Sequence, residues 1–161
     1  MHDRFTPCLW FNGLAEEAAA FYVSVFPNSR IFHRAAWPDG SPFPDKVGQP
    51  LLTEFELDGQ AFLAFNGGMD VPHGMAVSLL VNCADQAELD RITERLTEGG
   101  RQLDCGWVAD RYGVHWQLVP RRMMQMMRES TTRHGQVFGA LMTMQKIDLA
   151  ALEAAAKAPT P

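Results

Sequence analysis

The sequence has no long hydrophobic run, no paired-cysteine spacing and no excess of positive charge. No apolar stretch approaches the ~18 residues of a membrane span, so no membrane partner is expected. The opening MHDRFTPCLWF lacks the charged, apolar and small-residue order of a signal peptide. Cysteine occurs three times, at Cys8, Cys83 and Cys105, with no CxxC spacing. An odd count without an export signal indicates reduced thiols in the cytoplasm. A net charge of −5 excludes a general nucleic-acid binder, because phosphate contacts need clustered Lys and Arg. The one basic doublet, Arg121-Arg122, reads as a solvated face. The five histidines, His2, His33, His73, His115 and His134, are scattered, with no HExxH or other paired metal spacing.

What remains is an ordinary globular chain of 161 residues, 47% hydrophobic and 20% charged, large enough for one domain with a real core. Thr6 to Phe11 predicts a short strand, and Asn12-Gly13 turns the chain. Leu14 to Phe26 carries apolar residues at three-and-four spacing with Glu16-Glu17 in its first turn, the pattern of an amphipathic helix. Ile31 to Trp37 is a second strand, and the Gly- and Pro-rich stretch 38–50 is a loop. Leu51 to Leu57 alternates, Asp58-Gly59 is a tight hairpin turn, and Gln60 to Asn66 returns. The order then repeats. Ala76 to Asn82 is a strand, Asp85 to Glu98 a helix N-capped by Asp85, and residues 101–110 and 113–119 are strands. Beyond them, Arg122 to Arg128 and Gln136 to Lys157 read as helical, the second broken near Ile147-Asp148. Their methionines cover a core edge or a partner, and AKAPTP reads as a frayed tail.

The predicted class is therefore α+β. Two βαβββ modules, about 4–70 and 74–120, form a cupped half-barrel of mixed sheet with helices on the convex face. C-terminal helices follow over about 121–157, the whole making a single domain.

The strings LWFNGLAEEAAAFYVSVFPNSR, FELDGQAFLAFNGG, CGWVADRYGVHWQLVP and ALMTMQKIDLAAL occur in this order. Together they resemble the PhnB-like branch of the vicinal oxygen chelate superfamily, which holds glyoxalase I, extradiol dioxygenases and bleomycin-resistance proteins. The resemblance implies a small-molecule ligand and a homodimer. Members of this branch carry the label 3-demethylubiquinone 3-methyltransferase. The sequence has no GxGxxG turn and the wrong element order for a Rossmann-type methyl-donor sheet.

Metal-using relatives place His and Glu ligands on the first and last strands of each module. The resemblance carries those positions onto Pro7, Ala64, Ala76 and Gln117. Three have no donor side chain and Gln is a weak neutral ligand, so no metal and no other cofactor is expected.

Alternation tied to the hairpin puts Thr53, Phe55 and Leu57 on one face with Phe62, Ala64 and Asn66. That face is expected to line the cup, with Pro7, Leu9, Phe11, Ser78, Leu80, His115 and Gln117. Trp10, Val77, Leu79, Trp116 and Leu118 are expected beneath the helices. Cys105, Trp107, Asp110 and Tyr112 are expected at the rim, where Trp107 either stacks on a flat ligand or packs at a subunit contact. Glu54 and Glu56, on the opposite face from Phe55, read as a solvated edge. No catalytic residue is fixed by these patterns. His115 as an acid or base, and Cys105 as a nucleophile, are the candidates should the protein be an enzyme. A metal-free binder, an enzyme of this superfamily and a dimer with a self-filled cup are the three readings the sequence leaves open.

Overall fold

Asp58 and Gly59 both adopt positive φ, 44° and 88°. A two-residue hairpin turn needs that geometry, and glycine reaches it without steric cost. The turn joins β3 (Pro50–Leu57) to β4 (Gln60–Asn66). Leu57 faces Gln60 and Thr53 faces Ala64, the register expected from the sequence. In the computed structural model, which describes residues 4–158, this hairpin sits inside a four-stranded sheet. β1 (Cys8–Phe11) runs parallel to β4, and β2 (Arg30–Ala36) runs antiparallel to β3. The order is β1-β4-β3-β2, with α1 (Ala15–Val25) between β1 and β2. These elements belong to the first of two compact units, Met1–Pro72 and His73–Pro161.

α1 selects one face of this sheet. Tyr22 on α1 approaches Phe55 on β3 with ring centroids 6.2 Å apart, and Phe55 stacks on Phe62 at 5.4 Å. Phe55 and Ala64 are fully buried, and Phe11, Phe62 and Asn66 nearly so. Leu9 pairs with Ala64 in the parallel ladder and shares this face. The expected alternation is correct, but the expected face is reversed. Leu9, Phe11, Thr53, Phe55, Leu57, Phe62, Ala64 and Asn66 lie on the helix side, while Trp10, Leu63, Phe65, Glu54 and Glu56 take the open side. The cause is burial: the wholly apolar sides of Phe55 and Phe62 gain more under a helix than Glu54 and Glu56 could.

The second unit repeats the order. β5 (Leu79–Cys83) leads to α2 (Gln86–Thr97), then β6 (Arg101–Gln102), β7 (Trp107–Ala109) and β8 (His115–Pro120). The sheet order is β5-β8-β7-β6, with β5 parallel to β8. Asp85 caps α2 by accepting from the Glu88 amide at 2.9 Å, and Glu88 accepts from the Ala84 amide at 2.6 Å. Leu89, Ile92 and Leu96 of α2 are buried, as are Val108, Trp116 and Leu118 across the sheet. Here Leu79, Trp116 and Leu118 lie on the helix face as expected. The strand expected over 101–110 is interrupted by a short 3-10 turn, Asp104–Gly106, in which Cys105 and Gly106 have φ of 58° and 78°.

The C-terminal helices are α3 (Arg121–Glu129), α4 (Thr131–Leu141) and α5 (Leu149–Lys157). α4 begins five residues before the expected Gln136, because Ser130 caps it by accepting from the Arg133 amide at 3.1 Å. α5 ends at Lys157, the expected end of the helical stretch, so Ala156 and Lys157 are not part of the expected frayed tail; residues 159–161 lie outside the described residues. The segment between α4 and α5 is tied to the second sheet's edge. Cys105 N donates to Met144 O at 2.8 Å and Gly106 N to Gln145 O at 2.7 Å. The Gln86 side chain donates to Ile147 O at 3.0 Å and accepts from Leu149 N at 2.9 Å. Ile147 is fully buried, and a Cβ on Gly106 would meet its Cδ1 at 2.7 Å. Among the described residues no helix is long and apolar enough to cross a membrane.

The face reversal in the first unit has a direct stability test. Phe55→Ala is expected to cost about 3–5 kcal/mol in urea unfolding, the cost of emptying a core aromatic site. Glu56→Gln, which removes only an exposed ion pair with Arg30, is expected to cost less than about 1 kcal/mol.

Candidate functional site on the open face of the second sheet

Strand register sets which side chains share the face that α2 leaves free. Trp107 lies opposite Gln117, Ala109 opposite His115, and Leu80 opposite Gln117. Gln117 Nε2 donates to Ser78 Oγ at 2.7 Å, which brings the residue just before β5 to the same face. His115 is 6% exposed and its Nδ1 has no hydrogen-bond partner. An imidazole nitrogen buried without a partner loses its hydration and gains nothing in return. An indole, an amide–hydroxyl pair and an unsatisfied imidazole nitrogen thus stand on neighbouring positions of one sheet face. Beside Trp107, at the sheet edge, lies a cavity of about 490 Å³ bordered by Met75, Asp104, Cys105 and Gln145.

Asp110 is placed as a structural hub, not at a rim. Its buried carboxylate accepts from the Tyr112 amide at 2.9 Å, the Val114 amide at 3.1 Å and Trp116 Nε1 at 2.8 Å. These bonds fix the turn that delivers His115 to β8. Cys105 and His115 do not form a nucleophile pair. The Cys105 thiol packs on Met142, Sγ to Sδ 3.8 Å.

Of the other expected lining residues, Leu9, Phe11, Phe55, Phe62 and Asn66 are on the helix-covered face of the first sheet. Asn66 has a clear role there. Its Oδ1 accepts from the Ala15 amide at 3.0 Å, and its Nδ2 donates to Pro50 O at 2.9 Å. Leu14, the residue at the cap position of α1, offers no side-chain cap, so Asn66 supplies one from the far end of the module. The missing cap in LWFNGLAEE is the sequence signal for it, but the partner stands 51 residues away.

The residues do not fit a superfamily-type metal. Ala64 is buried beneath α1, Ala76 lies in a turn, Pro7 has no donor, and Gln117 is engaged with Ser78. Cys8, His33, Glu54 and Glu56 occupy the first sheet's other positions, with His33 opposite Glu54 and Glu56 paired to Arg30. Among the described residues no three His, Cys, Asp or Glu side chains are grouped to hold a metal ion. His134 contacts the Phe138 ring, and His2 lies outside the described residues.

Residues 3–119 match the sequence profile of the family described as 3-demethylubiquinone-9 3-methyltransferase. The chain belongs to this family. A PhnB protein from Bacillus cereus with the same methyltransferase description is 32% identical; the alignment covers 73% of this chain and 99% of that one, with a TM-score of 0.65. A Pseudomonas aeruginosa protein is 22% identical over 73% and 97%, at 0.59, and an Arabidopsis thaliana gene product 18% over 74% and 99%, at 0.51. These two likenesses are of fold. No curated protein matches the chain. The expected PhnB-like family is thus borne out, and the profile match ends before α3, leaving the C-terminal helices outside it.

Thiol chemistry gives a further check on this PhnB-like unit. Cys83 is fully buried, and burial, aided by the Glu88 charge, pushes its thiol up to about 11. A raised folded-state pKa favours the neutral thiol, so this stability is complete below the ordinary thiol range and is lost as pH climbs through about 11. Stability measured by urea unfolding is expected to fall between pH 9 and about 11, and Cys83→Ala is expected to flatten that fall.

Proposed function

We propose that this PhnB-like chain binds a small, partly aromatic or apolar molecule on the open face of its second sheet, without a metal. The observation that carries the reading is the Gln117–Ser78 pair beside the Trp107 indole on the face that α2 leaves free. A flat ligand stacked on Trp107 would keep its ring surface from water and meet the Gln117–Ser78 pair at its polar edge. We further propose a homodimer, for which the exposed Val77, Leu80, Phe138 and Met142 are the support. A cytoplasmic setting is supported by three unpaired cysteines.

Methyl transfer, the activity in the family's description, is not part of this proposal. Each sheet is four-stranded and mixed, with three strands following its helix. A methyl donor of the usual kind lies across a parallel, doubly wound sheet over a glycine-rich turn. A second reading, acid–base catalysis by His115, is favoured by its unsatisfied Nδ1 and by its burial.

A melting-temperature screen over small aromatic and apolar metabolites tests the binder. A true ligand at about 100 times its Kd adds about 2.7 kcal/mol. Trp107→Ala and Gln117→Ala are each expected to remove the upshift. An upshift that survives both substitutions would place the ligand elsewhere and end the proposal. Should turnover be found, loss of kcat with unchanged KM in His115→Ala would favour the catalytic reading.

A further inference from the structure

The basic side chains of this acidic protein are concentrated in its C-terminal helices. Residues 1–120 hold sixteen Asp and Glu against eight Lys and Arg, whereas residues 121–161 hold three against six. The segment that the family profile does not cover is therefore net positive. Three of its cations converge. Arg122 on α3, Arg133 on α4 and Lys157 on α5 line one cleft of about 510 Å³ between these helices. Ser130, Thr132 and Gln136 add hydroxyl and amide groups to the wall, and Met126 and Ala156 add apolar surface.

The two arginines are held in place by carboxylates. Arg122 bonds Glu129 at 3.0 Å and approaches Glu153 at 3.7 Å, and Arg133 pairs with Glu129. These pairs are two-fifths exposed, so each holds its guanidinium weakly and orients it without quenching it. Lys157 has no carboxylate partner among the described residues. The cleft is within the size range of small-ligand pockets. Its three cations stand against Glu129 and Glu153, leaving one net positive charge, and forked guanidiniums favour phosphate oxygens over single-point acceptors. The apolar patch offers a place for an attached organic group.

We propose that this cleft is a second ligand site, for a phosphate monoester of a small molecule. It is independent of the open sheet face, because none of its lining residues belongs to the second sheet. The phosphate would take the place of Glu129 and Glu153 as partner to the two guanidiniums, with Lys157 completing its charge.

Calorimetric titration with phenyl phosphate and with inorganic phosphate, at matched ionic strength, tests it on the full chain. Phenyl phosphate is expected to bind more tightly than inorganic phosphate. The double variant Arg133→Gln/Lys157→Gln, which leaves the Arg122 ion pairs intact, is expected to weaken both by about tenfold or more. An unchanged melting temperature of that variant shows that the helices still fold. Absence of binding, or binding undiminished in the double variant, would overturn the site. Inorganic phosphate binding as tightly as the ester would overturn the monoester assignment.

Discussion

Helix-on-sheet burial decides everything else in this protein. Each four-stranded sheet gives one face to a helix and keeps the other. In the first unit α1 takes the face built on Phe55 and Phe62, closing over them with Tyr22. In the second, α2 brings Leu89, Ile92 and Leu96, and Val108, Trp116 and Leu118 are buried with them. Each large side chain moved out of water contributes about 1.5–3 kcal/mol. Exchanging faces would bury Glu54 and Glu56 in one unit and Gln117 in the other. The residues left for binding are those this packing does not consume.

Much of this was legible in the sequence. The Asp58-Gly59 turn, the order of elements within each module, the Asp85 cap and the covered face of the second sheet follow from local patterns. The covered face of the first sheet did not. Alternation separates Phe55 from Glu54 but does not say which side meets a helix. Expecting an apolar cup lining put the aromatic side in the wrong place; ranking the two sides by the cost of burying a carboxylate gives the observed answer. Asn66 as the cap of α1 depends on a contact across the module, which no local window contains. The same holds for Met144 and Gln145, whose carbonyls tie down the turn at Cys105.

The candidate site was half legible. Ser78, His115 and Gln117 share one face, as alternation indicated, and the strand register adds Trp107, which was expected at the rim. Leu9, Phe11, Phe55, Phe62 and Asn66 are spent on packing and capping. The position-by-position comparison with metal-using relatives shifts with the face: on the open side of the first sheet Leu63 and Phe65 flank Ala64 and carry no donor, whereas Cys8, beside Pro7, carries a thiol. The family profile ends at residue 119, and the basic cleft between α3, α4 and α5 could be found only once those helices were packed together.

The central claim is that ligand recognition uses the open face of the second sheet. The four indole N–H resonances in a nitrogen-15 spectrum report on it most directly, since Trp10, Trp37, Trp107 and Trp116 occupy different settings. Trp10 Nε1 is held by Met69 O and Trp116 Nε1 by Asp110. On adding a stabilising small molecule, the account predicts a large shift at Trp107 with those at Trp10 and Trp37 unmoved. A ligand that shifts Trp10 or Trp37 and leaves Trp107 unchanged would contradict it.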